Sequence, residues 1–532
     1  MSRIQTLQAY GRFALGLPGY LRKTITIEEA QAIVRRRLAE REDNFLRLAE
    51  QSIYRFPASP YRTLLRWAGC ELGDLQSMVR SQGLEGALQA LHQAGVYITF
   101  EEFKGRQPIR RGSQVLPVQA HNFDNPCLRR YIEGETGGST GGATRVAIDL
   151  QHLADQAPLL MLSYSAHGLL HAPTAMWWSV LPSGAGINTL LHAATFRYTP
   201  EKWFTPVTGA DLQPALKYRV ATQYIIAMGR LMGLPFPSPQ PLRLDQAEVL
   251  ARWAVDTVKA RGRCLIRAHV STALRVCVAA QKAGLDLTGA SIVGGGEPPT
   301  PAKVRQITRT GAHWVPNYFC AEAGVIGWGC ANPADQDDNH FFRDKLALIQ
   351  RPRTVPDTDI TVNAFSFTSL LLSAPKVMLN VEIDDYGVLE ERSCGCPLES
   401  AGFTQHLRHI YSFSKLTGEG MSLVGSEMVR ILEEVLPARF GGSALDYQLL
   451  EEEDEQGFTR LSLLVSERVH LADEAEVIGA VLDALRETSA SADLARAIWT
   501  QASTLRVRRR EPIWTSRGKL MPLHLDRQRR GD

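Results

Sequence analysis

One short stretch of the chain, Gly134 to Val146, is rich in glycine, serine and threonine and has the sequence GETGGSTGGATRV. Glycine lets backbone N–H groups approach an anion closely, and serine and threonine add hydroxyl donors without bulk. The run from Thr136 to Thr144 therefore has the residue types that a phosphate-binding loop needs. Composition alone leaves open the alternative of a surface loop without a ligand.

The two best-known glycine-rich nucleotide motifs do not fit this run. On the P-loop pattern G-x-x-x-x-G-K-[ST], Gly137, Gly142 and Thr144 match, but Ala143 stands where the lysine belongs. The dinucleotide pattern G-x-G-x-x-G is not satisfied either. A phosphate loop of this kind lacks its own lysine, so the charge that reaches the phosphates has to come from elsewhere.

A third template, S-S-G-T-T-G-x-P-K/T, does fit, and it is the phosphate-binding loop of the adenylate-forming superfamily of acyl- and aryl-CoA synthetases, adenylation domains and luciferases. The departures are Ala143 for proline, and Thr136 and Gly137 for the two serines. Four later segments resemble further motifs of this superfamily in the expected order. They are GGGEPPTPAKVRQI (294–307), NYFCAEAG (317–324), IDDYGVLEER (383–392) and TSRGKLMPL (515–523).

The resemblance implies an ATP site assembled from distant parts of the chain. The residues implied to donate hydroxyl and N–H groups to the phosphates are Thr136, Ser139, Thr140, Gly141 and Thr144. Those implied to complete the nucleotide site, with the first four against the adenine, are Gly295, Gly296, Glu297, Pro298 and Tyr318.

Charged residues in the same motifs are implied to carry the chemistry. Glu322 would help hold Mg²⁺, which prefers carboxylate and phosphate oxygens. Asp385 would accept the ribose hydroxyls, with Asp384 as the alternative because the register is open by one residue. Adenylation brings two anions together and expels pyrophosphate, so catalysis depends on positioning and charge compensation. Lys519 would supply the ammonium that the glycine loop lacks.

A second set of residues suits a metal. Cys330, His340, Cys394 and Cys396 form a Cys₃His set, which is typical of a closed, tetrahedral zinc site. The segments SPYRTLLRWAG (59–69) and GVYITFEEFKGR (95–106) and the compact C-terminal domain resemble those of phenylacetate-CoA ligase-like proteins. Several such proteins carry cysteine and histidine at similar places, and this resemblance supports a structural Zn²⁺. The alternative is a group of buried thiols with an unrelated histidine. Cys320 is predicted to be a buried, inert thiol.

The elements that must position these residues follow from hydrophobic periodicity. Residues 27–96 carry helical spacing, and the later chain alternates short strands, among them VYITFEEF (96–103) and RCLIRAHV (263–270), with helices. This pattern predicts a layered α/β fold with a largely parallel sheet. The predicted parts are a helical lead-in over 1–96, an adenylate-forming α/β body over 97–410 and a small, mobile α+β C-terminal domain over 411–532. The resemblance implies a hinge near HIYSFSKLTGEGM (409–421), with Gly420 after it.

Composition limits the function classes. The chain has 532 residues, 44% hydrophobic and 22% charged, with a net charge of +3, which is ordinary for a globular protein of more than one domain. The basic tail has no interleaved aromatic residue beyond Trp514, and the overall charge is near neutral, so nucleic acid is not expected as a partner. No apolar run reaches the length of a membrane span, and no signal peptide is recognisable, so a cytoplasmic protein is expected. Eight cysteines in such a protein argue against a disulfide framework.

The sequence therefore predicts an AMP-forming carboxylate ligase that resembles phenylacetate-CoA ligase. It would use ATP, Mg²⁺ and CoA, act on a small carboxylic acid, and be a monomer or homodimer. One alternative sends the acyl group to a carrier protein or an amine. Another is a non-catalytic, zinc-stabilised scaffold with the same fold. Trp177 and Trp178 are candidates either for the acyl pocket or for the core.

Overall fold

The computed structural model describes residues 3–135, 145–206, 215–354, 361–412, 415–418, 421–424, 430–486, 490–514, 520 and 523–525. The predicted phosphate-loop residues 136–144, Gly420 and Lys519 lie outside this part of the chain. No helix within it is long and apolar enough to cross a membrane.

The helices begin with a lead-in of six that precedes the first strand. The described α-helices are α1 (Arg3–Leu21), α2 (Ile27–Ala39), α3 (Arg41–Ala49), α4 (Pro60–Trp67), α5 (Leu72–Gln93), α6 (Phe100–Phe103), α7 (Leu150–Ala166), α8 (Ala185–Ala194), α9 (Leu216–Leu231), α10 (Ala247–Arg261), α11 (Val270–Lys282), α12 (Pro301–Thr308), α13 (Pro397–Ser400), α14 (Leu436–Phe440), α15 (Glu474–Arg486) and α16 (Ala490–Ala502). The helical periodicity of residues 27–96 is thus matched by four helices, α2 to α5.

Helix α6 differs from the sequence prediction, which was a strand over residues 96–103. The Thr99 hydroxyl accepts a hydrogen bond from the Glu102 N–H at 3.3 Å, and the Glu102 carboxylate accepts one from the Thr99 N–H at 2.9 Å. This capping box satisfies donors at the start of a helical turn and fixes that turn in place of an extended strand. The turn ends at Lys104, which faces the cavity described below.

The strands fall into one large sheet and several small ones. They are β1 (Ile109–Arg111), β2 (Gln114–Leu116), β3 (Tyr131–Glu135), β4 (Arg145–Asp149), β5 (Thr174–Trp177), β6 (Lys202–Thr205), β7 (Pro239–Pro241), β8 (Cys264–His269), β9 (Ala290–Gly295), β10 (His313–Cys320), β11 (Gly324–Gly329), β12 (Asn339–Phe341), β13 (Leu346–Thr354), β14 (Thr361–Ser369), β15 (Val381–Glu391), β16 (Gln405–Ser412), β17 (Lys415–Gly418), β18 (Met421–Val424), β19 (Tyr447–Glu453), β20 (Thr459–Val465), β21 (Leu505–Arg509) and β22 (Leu523–Leu525).

The large sheet has twelve strands in the order β13-β14-β15-β16-β12-β11-β10-β9-β8-β5-β6-β7. From β10 to β7 neighbouring strands are parallel, and from β10 to β13 they are antiparallel. The predicted largely parallel sheet is therefore correct for only half of it. The other half contains short connections, such as the three residues between β10 and β11, which cannot hold the crossover that a parallel pair requires.

Helices cover both faces of the parallel half. On β8, Cys264, Ile266 and Ala268 belong to the core that includes α10 and α11, whereas Leu265 belongs to the core on the α7 side. This alternation is the two-residue period of a strand buried on both faces. It sends Arg267 and His269 to the α7 side of the sheet, where the cavity lies.

The C-terminal segment forms its own sheet, in the order β21-β20-β19-β22. The sequence of this segment predicts two strands (ALDYQLLEEE, 444–453, and FTRLSLLVSERV, 458–469), a helix (DEAEVIGAVLDALRE, 473–487) and a final strand (STLRVRRREP, 503–512). These correspond to β19, β20, α15 and β21, and the pattern did not predict α16 or β22. Its apolar residues continue the core around α10 and α11. Polar contacts join it to the body as well: Lys303 Nζ donates to Thr459 Oγ1 at 2.9 Å, and Thr300 Oγ1 donates to Glu453 at 2.7 Å.

Candidate functional site

A cavity of about 390 Å³ opens at the carboxyl ends of the central parallel strands. In the register of the sheet, His269 at the end of β8 lies beside Gly295 at the end of β9, and Gly295 lies beside Asn317 on β10. Ligands of open α/β sheets bind in crevices at this edge. Residues from four of the five predicted motif regions line the cavity: Glu135, Gly296, Glu297, Pro298, Tyr318, Glu322 and Asp385.

The glycine turn after β9 lets the backbone pass close to neighbouring groups. Gly296 has φ +80°, and a Cβ there would lie 2.7 Å from His269 Nδ1. Gly295 does not line the cavity, and a Cβ there would lie 2.2 Å from the Asn317 carbonyl oxygen. The two glycines therefore serve different purposes, since Gly296 borders the cavity and Gly295 permits close strand packing.

Glu297 is buried in the turn, and protein donors hold it. The Ser271 N–H donates to its Oε1 at 3.3 Å, and the Ser271 hydroxyl donates to its Oε2. Lys303 Nζ lies 3.8 Å from the same Oε2. These contacts fix the carboxylate, which therefore stabilises the turn that Pro298 continues along the cavity wall.

Tyr318 and Asp385, from motifs 67 residues apart, are in direct contact. The Tyr318 hydroxyl donates to Asp385 Oδ2 at 2.7 Å, and the Ser412 hydroxyl donates to Oδ1 at 2.6 Å. Burial and the Asp385 charge raise the pKa of Tyr318 well above its ordinary value, so its hydroxyl stays protonated and donates. Asp384, the alternative ribose ligand, does not line the cavity and has φ +72°.

Glu322 pairs with a lysine that the sequence did not single out. Lys104 Nζ lies 2.6 Å from Glu322 Oε1; the Glu322 side chain is buried, and that of Lys104 is partly buried. Burial would raise the pKa of Glu322, but the Lys104 charge and its hydrogen bond outweigh that effect and lower the pKa to about 2. The carboxylate is therefore ionised at neutral pH, which is the form that binds a hard cation.

The strands on either side of the predicted phosphate loop end at the cavity. Glu135 of β3 pairs with Arg145 of β4, and Gly134, Glu135 and Val146 line the cavity. Trp178, just after β5, also lines it, whereas Trp177 packs into the core on the opposite face of the sheet. Trp178 therefore lies in the cavity wall, and Trp177 lies in the core.

The four predicted metal ligands come together outside the cavity. The sulfur atoms of Cys330, Cys394 and Cys396 and a ring nitrogen of His340 all lie within 4.8 Å of one another. His340 Nε2 lies 3.0 Å from the Cys396 sulfur and 3.7 Å from the Cys394 sulfur. Four soft ligands converging on one point fit tetrahedral Zn²⁺.

Neighbouring groups orient these ligands. His340 Nδ1 lies 2.7 Å from the Phe403 carbonyl oxygen, which can only accept, so Nδ1 carries the proton and the Nε2 lone pair faces the sulfurs. The Glu399 carboxylate accepts hydrogen bonds from the backbone N–H groups of Cys394 and Gly395. A hydrogen bond from Cys330 and the nearby His340 lower the pKa of Cys396, which favours a thiolate. Cys320 lies outside this cluster and is half-buried in the cavity wall.

No known protein family matches the chain, and neither does any curated protein. Solved structures do. The chain is similar to 2-hydroxyisobutyryl-CoA ligase in complex with 2-HIB-AMP and CoA, at 15% identity over 86% of this chain and 91% of that chain, with a TM-score of 0.40. It is similar to the amide bond synthetase McbA of Marinactinospora thermotolerans, at 13% identity over 95% and 98%, with a TM-score of 0.30.

A third similar structure is the anthranilate CoA ligase AuaEII in complex with anthranoyl-AMP, at 10% identity over 82% of this chain and 74% of that chain, with a TM-score of 0.34. These proteins are of the class named by the sequence resemblance. At such identities and TM-scores the likeness establishes no activity for this chain.

Proposed function

We propose that this protein uses ATP to convert a carboxylic acid into an acyl-adenylate and then transfers the acyl group to a thiol, that of CoA. The observation that carries the proposal is the convergence of separate motifs on one cavity. Gly296, Tyr318, Glu322 and Asp385 are spread over 90 residues of chain, and all four line it. The function therefore rests on the arrangement of these residues and not on the structural neighbours.

The Asp385 carboxylate is proposed to bind the ribose. It has two acceptor oxygens, and each of them accepts a hydroxyl hydrogen bond from the protein, one from Tyr318 and one from Ser412. An ionised carboxylate can accept more than one bond at each oxygen, so ribose hydroxyls can join or replace these donors. The contact with Tyr318 favours Asp385 over Asp384 for this role.

Glu322 is proposed to hold Mg²⁺ beside the phosphates. Its ionised carboxylate in the cavity wall suits that ion, whose charge would compensate the anions that meet during adenylation. The Lys104 ammonium is already bonded to one carboxylate oxygen. Lys104 therefore keeps Glu322 ionised before the nucleotide arrives, and it adds a second positive charge to the same wall.

The rest of the ATP site is proposed from the sequence. The glycine loop would donate N–H and hydroxyl groups to the phosphates, and the Lys519 ammonium would approach the α-phosphate and the attacking carboxylate oxygen. The C-terminal domain, taken as residues 411–532, would rotate about a hinge near residue 410 between the two half-reactions. Zn²⁺ bound by Cys330, His340, Cys394 and Cys396 would be structural, because four protein ligands leave no open position for catalysis.

Carboxylate-dependent exchange of pyrophosphate into ATP tests the adenylation step across aliphatic, aromatic and amino acids. We expect exchange with at least one acid, and its loss in Glu322→Gln. Supplying CoA, a carrier protein or an amine in turn then identifies the acceptor by its acyl product. A protein that shows no exchange with any acid would instead be a non-catalytic scaffold.

A further inference from the structure

A buried arginine forms part of the inner wall of the cavity. Arg267, on β8, is 7% exposed and lines the cavity. Its Nη1 donates to the Tyr164 hydroxyl at 2.9 Å. Among the residues that the structure describes, no carboxylate lies within 4.0 Å of its guanidinium nitrogens, so no protein anion neutralises the charge there.

Neutral polar side chains line the cavity together with Arg267. Burial and the positive charge of Arg267 lower the pKa of His192 to about 3, and burial with the charge of Lys345 lowers the pKa of His152 well below its ordinary value. The Nε2 atoms of both histidines and Asn188 Oδ1 are buried without a hydrogen-bond partner in the described part of the chain. All three residues line the same cavity as Arg267.

Two aromatic rings hold the guanidinium in place. Its central carbon lies 5.9 Å from the ring centre of Tyr164 and 5.6 Å from that of Trp328. Such contacts stabilise a cation by less than it costs to bury an unpaired charge. The remaining cost is offset if an anion enters the cavity.

The position of Arg267 separates it from the nucleotide end of the site. His269 ends β8 beside the glycine turn, and Arg267 precedes it by two residues on the same face of the sheet. Two residues of strand span about 7 Å. A group bound to Arg267 therefore lies deeper than the strand ends where a carboxylate would meet ATP.

We propose that the acid activated by this protein carries a second carboxylate, and that Arg267 binds this second group with His192, His152 and Asn188 as neutral neighbours. This inference rests on the proposed function and specifies its substrate class as a dicarboxylic acid. No bond forms or breaks at this end of the substrate. The charge pair with Arg267 selects the acid and fixes its orientation.

Calorimetric binding to the wild-type protein tests the inference without requiring catalysis. The probes are matched pairs that differ only in the second carboxylate: adipate against hexanoate, glutarate against pentanoate, and 4-carboxyphenylacetate against phenylacetate. We expect the diacid of at least one pair to bind about 100-fold more tightly, as for a buried charge-assisted pair. Equal affinity within every pair, or no binding of any diacid, would overturn the inference.

The variant Arg267→Met identifies the group responsible, and Arg267→Lys serves as a second variant that keeps a charge if the first does not fold. We expect the ratio of diacid to monoacid affinity to fall to about one in Arg267→Met and to an intermediate value in Arg267→Lys. An unchanged ratio would mean that Arg267 binds the reacting carboxylate or has only a structural role, and would refute the inference.

Exchange assays separate this inference from the proposed function. Selective binding of a diacid without any exchange would leave the inference standing and remove adenylation. Exchange supported by monoacids, with no preference for diacids, would support adenylation and refute the second-carboxylate inference.

Discussion

At the scale of single residues, Glu322 owes its low pKa to one partner. Replacing Glu322 with glutamine removes the ion pair with Lys104. The lowering of its pKa from 4.5 to about 2 corresponds to a stabilisation on the order of 3 kcal/mol. We expect Glu322→Gln to lower the free energy of unfolding by this amount at pH 7, as measured by chemical denaturation.

The pH dependence of that difference has a definite sign. A carboxyl group whose pKa is lowered on folding stabilises the protein above its ordinary pKa, and this contribution is lost as the pH falls through the folded value. The difference between wild type and Glu322→Gln should therefore shrink between pH 4.5 and about pH 2. Glu101→Gln, which breaks a more exposed ion pair between helix α6 and Arg106, is the control and should cost less than about 1 kcal/mol. A difference that does not depend on pH would contradict the assignment.

Substitutions of the neighbouring residues Asp385 and Asp384 serve as test and control for nucleotide binding. Asp385 lines the cavity beside Tyr318, whereas Asp384 does not line it. We expect Asp385→Asn to raise the KM for ATP about 10- to 100-fold, because it removes charge-assisted hydrogen bonds to the ribose. Asp384→Asn should change that KM by no more than about twofold, since asparagine tolerates a positive φ. The opposite ranking would assign the ribose to Asp384.

Gly296 tests the close approach at the glycine turn. Gly296→Ala should weaken ATP binding and destabilise the protein by about 1–3 kcal/mol, because the residue has φ +80° and its Cβ would lie 2.7 Å from a ring nitrogen of His269. The control is Gly262→Ala, at φ +78° with no atom within 4 Å of the added Cβ. Thermal melting and nucleotide titration of both variants measure the effect. Equal effects in the two would show that backbone strain alone is responsible.

Sequence reasoning found the residues that sit in ordered motifs and missed those defined by distant contacts. Tyr318, Glu322 and Asp385 were predicted, and the cavity brings all three together. Lys104 lies 218 residues from its partner Glu322, and Arg267 sits in a strand that reads simply as apolar and buried. Neither residue has a local pattern that reveals its role, since a charge pair across the fold leaves no spacing signal.

At the scale of elements, the metal ligands tie together segments around the antiparallel half of the sheet. Cys330 follows β11, His340 lies in β12, and Cys394 and Cys396 follow β15, the strand that carries Asp385. A bound Zn²⁺ would therefore stabilise the strand that positions the proposed ribose ligand.

We expect metal analysis of the purified protein to find about one Zn²⁺ per chain, as four converging ligands bind one ion. Cys394→Ser should lose the metal and lower the melting temperature. Cys127→Ser, which changes a half-buried cysteine outside the cluster, should keep both at wild-type values. Wild-type protein without zinc, or Cys394→Ser with full zinc content, would contradict a zinc site.

The sequence predicted best those helices and strands whose hydrophobic residues recur with a strong period. The β-rich runs RCLIRAHV (263–270), GASIVGGGEP (289–298) and AHWVPNYF (312–319) correspond to β8, β9 and β10. The helical patterns DQAEVLARWAVDTVKA (245–260) and STALRVCVAAQKAG (271–284) correspond to α10 and α11. Residues 100–103 were predicted to belong to a strand over residues 96–103, but the capping box at Thr99 decides their conformation locally. The direction of strands β11 to β16 depends on short connections, which composition does not reveal.

At the scale of the whole molecule, the C-terminal sheet and the body share a hydrophobic core. The buried Lys303 connects them, since its ammonium donates to Thr459 on β20 and lies 3.8 Å from Glu297 in the glycine turn. A rotation of the C-terminal domain between half-reactions would have to break this contact. The domain boundaries and the hinge remain predictions of the sequence resemblance.

Pyrophosphate exchange in wild type and Lys519→Ala tests the central claim most directly. If the protein activates a carboxylic acid, we expect exchange in wild type that depends on at least one acid in a panel of monocarboxylic and dicarboxylic acids. We also expect a loss of about 100- to 1,000-fold in Lys519→Ala, because an ammonium that stabilises the reacting anions is removed. Arg510→Ala, which removes an exposed charge from the same basic segment, should exchange like wild type. No exchange with any acid would contradict the proposed adenylation. Equal exchange in wild type and Lys519→Ala would contradict the role proposed for Lys519.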